Sequence, residues 1–255
     1  MTPKQRINHI TKWIKSYATK HKIKTLVVGV SGGIDSSVVS TLCARTGLPT
    51  IVVSMPIKQS KITHSLSIAH GNWLVEHFEN VRHHLIDLTP TFRQFEKVFP
   101  GGSDLAFANS RSRLRMMCLY QIAQDYNGIV VGTGNRVEDF GVGFFTKYGD
   151  GGVDISPIGD CMKTEVWAMG HELGIMPEII DAAPTDGLWA DGRTDEDQLG
   201  MTYPELEQAM RLDLLDGVRK LDSKERSRLK RYREIRAHNQ HKMQPIPVCT
   251  FDGKS

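Results

Sequence analysis

The stretch Leu26-Val27-Val28-Gly29-Val30-Ser31-Gly32-Gly33-Ile34-Asp35-Ser36-Ser37 constrains what this chain can fold into more than any other. An apolar, β-branched run ends in Ser-Gly-Gly, and Asp35 with two serines then opens a helix. Glycines at such a corner let the backbone turn tightly and approach a ligand without Cβ obstruction. Unpaired N–H groups at a helix start, with its partial positive charge, attract an anion. The serines add hydroxyl donors, and Asp35 sets beside that anion a carboxylate suited to Mg²⁺. The expectation is a site for phosphate or pyrophosphate with a metal; the competing reading is an ordinary turn capped by Ser or Asp. The common G-x-x-x-x-G-K-[ST] phosphate loop is absent, since Gly253-Lys254-Ser255 ends the chain and reads as a tail.

Around this corner, strand-like and helical runs alternate. Ile7, Ile10, Ile14 and Tyr17 recur at helical spacing, which predicts a lead-in helix over 4–20. Strands are predicted at 25–30, 50–54, 84–88 and 128–132, and helices at 35–46, 61–79, 104–126 and 163–174. Such alternation implies an α/β fold, a doubly wound, mainly parallel sheet flanked by helices. Ligands in such sheets sit at the carboxyl ends of strands, where Ser31 and Gly132-Thr133 lie. Residues 140–160 are rich in Gly and Asp and 181–202 read as loop, both long enough to suggest function. No repeat or linker divides the chain, so 1–255 reads as a single domain, with 1–20 as lead-in and 203–242 as a C-terminal helical segment. A net charge of +3 is too small to argue for nucleic acid or membrane. Cys43, Cys118, Cys161 and Cys249 are scattered, indicating neither zinc nor disulfides. The polar N-terminus lacks a signal-peptide core, and the reading is a cytoplasmic protein.

Three features are set aside. Val137 stands where the third glycine of a dinucleotide fingerprint starting at Gly132 belongs. Histidines 64, 70, 77, 83 and 84 lack metal-ligand spacing and read as a partly exposed helix and strand start. The basic run from Arg219 to Lys242 carries Asp222, Glu225 and Glu234 at helical intervals and reads as a solvated helix. More telling is the helical face Asn109, Arg113, Met116 and Tyr120, with Arg111 and Arg115 beside it. Those arginines are either surface charge or a forked clamp for phosphate or carboxylate. The block Gly141 to Asp154, with glycines, aromatics, Lys147, Asp150 and Asp154, makes a poor core segment and a good binding loop. Lys163 opens the next helix, where a lysine reaches phosphate oxygens, and polar loops follow at Ala183 to Trp189 and Gly192 to Gly200.

Together these blocks resemble the ammonia-dependent NAD synthetases, a family of ATP pyrophosphatases. The Ser-Gly-Gly-x-Asp-Ser loop alone is shared with GMP synthetases, asparagine synthetases and tRNA-modifying enzymes. The narrower resemblance lies in Gly-Phe-Phe-Thr-Lys-Tyr-Gly-Asp-Gly-Gly-x-Asp from Gly143, Asn-x-Arg-x-Arg-x-Arg-Met at 109–116, and Pro-Thr-x-Gly-Leu-Trp followed by Thr-Asp-Glu-Asp. It runs from about residue 5 to His241-Lys242. The resemblance implies an adenine nucleotide alpha hydrolase-like fold, a homodimer sharing its site across the interface, and amidation of deamido-NAD. In that reaction a nicotinate carboxylate attacks ATP to give an acyl-adenylate and pyrophosphate, and ammonia then displaces AMP. The positions matching ATP contacts are Gly29, Val30, Ser31, Gly32, Gly33, Ile34, Asp35, Ser36, Thr133, Lys163 and Thr185. Arg113, Lys147, Asp154, His241 and Lys242 match deamido-NAD positions, and Asp35 matches a Mg²⁺ ligand. Asp35, Lys163 and Asp150 are the expected catalytic residues, with Asp150 or Asp154 binding ammonium and taking its proton.

The chain departs from the family pattern in one segment. The second metal carboxylate of the family is a glutamate five residues after the Thr of Gly-Thr and four before Gly-Phe-Phe. Counting from Thr133 gives Glu138 and counting back from Gly143 gives Asp139, so one extra residue is present. The strand end is the firmer anchor, which favours Glu138, with Asp139 as the alternative. Asn135 stands where many members have His, and Met243 where a basic residue is often found. The chain has no room for a glutaminase domain, so ammonia is expected free or from a separate source. Two other activities remain open: the same amidation on nicotinic acid mononucleotide, and a tRNA-modifying ATP pyrophosphatase.

Overall fold

The computed structural model describes residues 1–58, 61–185, 193–215 and 220–251. Asp186 to Gly192 of the expected loops, Arg219, and Gly253-Lys254-Ser255 lie outside the described residues. In chain order the elements are α1 (Pro3–Lys20), β1 (Thr25–Gly29), α2 (Ile34–Arg45), β2 (Thr50–Ser54), α3 (Lys61–His77), β3 (Val81–Leu85), α4 (Thr89–Val98), α5 (Asp104–Asp125) and β4 (Gly128–Val130). A π-helix (Arg136–Val142) follows, then α6 (Lys163–Leu173), α7 (Pro177–Ile180), α8 (Asp195–Leu199), α9 (Tyr203–Leu214) and α10 (Ser223–Met243).

The four strands form one parallel sheet in the order β3-β2-β1-β4. Both central strands are buried on both faces, as Thr-Leu-Val-Val and Thr-Ile-Val-Val-Ser require. Alternation along β1 divides the core between two layers. Leu26 and Val28 pack with Ile7, Ile10 and Ile14 of α1 and Val38, Val39 and Leu42 of α2. Val27 packs the other way, with Phe92 of α4 and Ile122 of α5. The chain moves outward from β1 to β3 and then returns to place β4 on the far side of β1, so the strand order reverses between β1 and β4. That switch point is where open α/β sheets bind ligands. A second apolar cluster joins Val137 and Val142 of the π-helix to Tyr203, Leu206, Met210, Leu229 and Tyr232 of α9 and α10.

Expectation and structure differ in two elements. The third strand is Val81–Leu85, not 84–88, because Val81 pairs with Thr50 and anchors the strand in the core. As an edge strand it shows Arg82, His83 and His84, while Leu88 turns into α4. The stretch expected as loop over 181–202 contains α8, whose Thr194 and Asp197 form a reciprocal cap. Among the described residues, no helix is long and apolar enough to cross a membrane.

Candidate active site

The Ser31 to Ser36 corner is a turn organised by its own side chains. Gly33 takes the N-cap position of α2 with no side-chain cap, so the Ser- or Asp-capped turn is not what forms. The serine hydroxyls lie in the turn instead: Ser31 and Ser36 Oγ are 3.0 Å apart, and Ser36 and Ser37 each donate to the Gly33 carbonyl at 3.0 Å. Ser67 of α3 donates to the Val30 carbonyl at 2.7 Å, fixing the strand end. The helix start, with its partial positive charge, therefore carries no capping side chain.

Opposite this turn stand the π-helix and the start of α6. Lys163 is only 2% exposed, and its Nζ donates to Asp35 Oδ2 and, at 2.9 Å, to Glu138 Oε1. Its ammonium also lies 4.8 Å from the centre of the Tyr203 ring. Asn135, fully buried, joins the two walls: its Nδ2 donates to Asp35 at 3.0 Å, while its Oδ1 caps the π-helix by accepting from Val137 and Glu138 N–H. Tyr203 OH donates to Glu138 at 2.5 Å and lies 3.1 Å from Asp195 Oδ2.

Charge explains the protonation states. Burial pushes the Asp35 carboxyl above its usual range against the pull of Lys163. Burial also acts to raise Glu138, but Lys163 and the Tyr203 hydroxyl outweigh it and hold Glu138 below that range. Burial opposes the charge on Lys163, yet Asp35 and Glu138 together hold its ammonium above the ordinary lysine range. The Asp139 carboxylate lies against Gly134. A Cβ on Gly134 would fall 1.8 Å from its Oδ2, so a side chain there would push that carboxylate aside. Burial, then Glu138, Asp150 and Asp35, push the Asp139 carboxyl well up.

A second group of expected residues surrounds the Gly-rich loop, docked on one face of α5. Thr146 donates to Asn109 at 2.6 Å, and Ser112 donates to Asp150 at 2.6 Å while accepting from the Asp150 N–H at 2.9 Å. Asp150 also accepts from Thr146 N–H, and burial pushes its carboxyl up. A Cβ on Gly149 would lie 2.3 Å from Ser112 Oγ, so the loop sits this close only with glycine there. Asp154 accepts from Val130 N–H at 2.8 Å and from Tyr120 OH at 3.1 Å. Arg113 Nε donates to the Lys147 carbonyl at 3.2 Å, Lys147 to the His241 carbonyl at 3.2 Å, and Lys242 to the Phe145 carbonyl at 2.8 Å.

The structure thus gathers Asp35, Glu138 and Lys163 in one cluster, and Arg113, Lys147, Asp150, Asp154, His241 and Lys242 around the loop. Thr133 follows β4 at the switch point, and Thr185 donates to the Arg193 carbonyl at 3.2 Å. The arginine triplet divides: Arg111 lies over the Phe92 ring, Arg115 Nε donates to the Met55 carbonyl, and Arg113 Nε donates to the loop. The basic C-terminal run is not simply a solvated face. Arg228 pairs with Glu205, Arg233 with Asp213, and Arg236 donates to the π-helix carbonyls of Phe140 and Gly141. His70, expected near the surface, is fully buried with Nε2 3.0 Å from Ser40 Oγ. Sequence reasoning missed Ser112, Tyr203 and Asp195 as site residues; the signals were the spacing of Ser112 from Asn109 along α5 and the Thr-Asp-Glu-Asp run that holds Asp195.

Two acidic oxygens facing each other across one ammonium are hard donors of the kind Mg²⁺ takes, and Asp35 and Glu138 fit such an ion. As they stand, no group of three or more His, Cys, Asp or Glu among the described residues is arranged to hold a metal.

Comparison with known proteins gives the family. The NAD synthase family profile matches residues 6–246. The NH(3)-dependent NAD(+) synthetase of Archaeoglobus fulgidus is 33% identical over 95% of this chain and 95% of its own length. That of Alkaliphilus metalliredigens is 36% identical over 95% of this chain and 97% of its own. Among solved structures, NMN synthetase from Francisella tularensis superposes with a TM-score of 0.86 at 33% identity, covering 98% of this chain and all of that one. The NH3-dependent NAD synthetase of Campylobacter jejuni, at 23% identity and a TM-score of 0.79 over 98% of this chain, shares the fold. With a profile match spanning nearly its whole length, the chain belongs to the NAD synthase family of ligases.

Proposed function

We propose that the protein amidates the nicotinate carboxylate of deamido-NAD with ammonia at the expense of ATP, through an acyl-adenylate, giving NAD, AMP and pyrophosphate. The observation that carries this reading is the Asp35–Lys163–Glu138 cluster facing the uncapped start of α2 at the switch point of the sheet. A carboxylate is already a nucleophile, so adenylation needs charge neutralisation and alignment more than a general base. The α2 amides with Ser31 and Ser36 would hold the phosphates, and Lys163 would neutralise charge as pyrophosphate leaves. Asp35 and Glu138 would hold Mg²⁺, which supplies charge stabilisation at the phosphoryl oxygens when bound. Arg113, Lys147, His241 and Lys242, with the Gly-rich loop, would hold the dinucleotide.

For the second step, ammonium must lose a proton before it is nucleophilic. Asp150 suits that role better than Asp154, whose oxygens serve β4 and Tyr120. Asp150→Asn should change the dependence of rate on pH and total ammonia while leaving adenylation in place. Incubation with ATP, Mg²⁺, ammonium and deamido-NAD should yield AMP and pyrophosphate; ADP as product would refute the reading. Glutamine alone should give no amide.

A second reading, amidation of the mononucleotide, is favoured by the likeness to an NMN synthetase. Side-by-side kcat/KM on the mono- and dinucleotide decides between them. We also propose a single-domain homodimer working in the cytoplasm. Exposed Phe95, Val98 and Phe99 of α4 and its end, with Leu105 and Met117 of α5, are the apolar side chains such a dimer would cover. Sedimentation equilibrium at micromolar concentration tests it.

A further inference from the structure

The π-helix coincides with the segment in which the counts from Thr133 and from Gly143 disagree by one residue. Wide i→i+5 turns are how a helix absorbs an added residue without shifting both flanks. Here the Gly143 N–H reaches back to the Glu138 carbonyl, and the Phe144 N–H reaches the same oxygen at 2.8 Å. The carbonyls at the end of a helix lack partners within it and need donors from elsewhere. α10 supplies them: Arg236 Nη1 donates to the Phe140 carbonyl and, at 2.6 Å, to that of Gly141, and Asn239 Nδ2 donates to that of Val142 at 2.9 Å. Arg236 and Asn239 are three residues apart, on one face of α10. The other end of the segment is capped by Asn135.

Consecutive residues of a helix point in different directions around its axis, about 100° apart in an α-helix and somewhat less in the wider turns of a π-helix. A slip of one residue would therefore turn Glu138 away from Lys163 and bring the neighbouring carboxylate toward it. We propose that Arg236 and Asn239 are positioning residues that hold these wide turns and so set Glu138, and not Asp139, opposite Lys163 and Asp35. The claim rests on Glu138 being the cation-holding carboxylate of the proposed reaction. Neither residue touches the cluster; both act through the backbone of the π-helix.

Mn²⁺ binding, followed by electron paramagnetic resonance with a non-hydrolysable ATP analogue present, tests the proposal without turnover. Arg236→Met keeps the packing stem and removes the donors. It should weaken Mn²⁺ binding about three- to tenfold, with Asn239→Ala acting in the same direction and Arg236→Lys recovering part of the loss. The Mg²⁺ needed for half-maximal rate should rise by the same factor, with the KM for ATP at saturating Mg²⁺ unmoved. Deleting Asp139 restores the spacing of four from Glu138 to Gly-Phe-Phe; in that background Arg236→Met should cost less than twofold. Wild-type Mn²⁺ affinity in Arg236→Met, an equal loss in both backgrounds, or a loss in Asp139→Asn as large as in Glu138→Gln would each overturn it. If the deletion variant does not fold, the Arg236→Met and Arg236→Lys pair decides alone. Wild-type protein that binds Mn²⁺ yet forms no AMP would refute the proposed function and not this assignment.

Discussion

The wall of the site that carries Ser31 to Ser36 grows directly out of β1, and the hydrogen bonds among its serines and Gly33 run between residues at most five apart. The wall that carries Glu138 is held from far along the chain, by Tyr203 at a separation of 65 and by α10 at 95 and 96. One is a local device of strand, glycines and helix; the other is a tertiary assembly that exists only once the C-terminal helices have packed. Lys163 and Asn135 are where the two meet.

Breaking the junction should have the largest effect. Lys163→Met leaves Asp35 and Glu138 facing each other with no cation, and losing one partner of a buried ion pair costs about 3–5 kcal/mol. Thermal unfolding should show that loss, Mg²⁺ should restore part of the Tm, and AMP formation should fall at least a hundredfold. A Tm that is unchanged and indifferent to Mg²⁺ would mean the walls are not joined there.

Acid should loosen the first wall selectively. His70 lies behind it, bonded to Ser40 of α2 and stacked on Trp73, and burial pushes its pKa down to about 4. The unfolded chain then binds the extra proton below about pH 6.5, so stability falls as pH drops from 6.5 toward 4. Between pH 7 and pH 5 the loss is about 2 kcal/mol by linkage, and His70→Asn should flatten most of it in urea titrations read by tryptophan fluorescence.

The second wall is tested by Asn135→Ala, which removes the cap of the π-helix and a donor to Asp35; such caps contribute about 1–2 kcal/mol. The Mg²⁺ requirement should rise along with the drop in Tm. Ser36→Ala, confined to the first wall, should weaken ATP binding by about 1 kcal/mol with the Mg²⁺ requirement unmoved. If both variants moved the same parameter, the division into two walls would lose its meaning.

The same division explains what could be read from the sequence. The Ser-Gly-Gly-x-Asp-Ser corner was legible because its chemistry is contained in consecutive residues, and the strands β1 and β2 because buried parallel strands are continuously apolar. The docking face of α5 was legible in part, since its spacing marks a face but not which hydroxyl meets Asp150. The polar edge strand β3 lies three residues before its expected position because its alternation is half solvent-facing and the apolar Ile86 and Leu88 beyond it are not strand. The arginines of α10 looked like surface charge, because their acceptors are α9 side chains and π-helix carbonyls that no local pattern announces. The π-helix itself left a trace, the one-residue disagreement between two counts, whose meaning needed the structure.

ATP–pyrophosphate exchange in the absence of ammonia tests the central claim most directly. If the two walls meet to adenylate a carboxylate, labelled pyrophosphate should enter ATP only when deamido-NAD is present, and Lys163→Met should abolish the exchange. Exchange that ignores the dinucleotide, or none at all while ADP and phosphate accumulate, would contradict it.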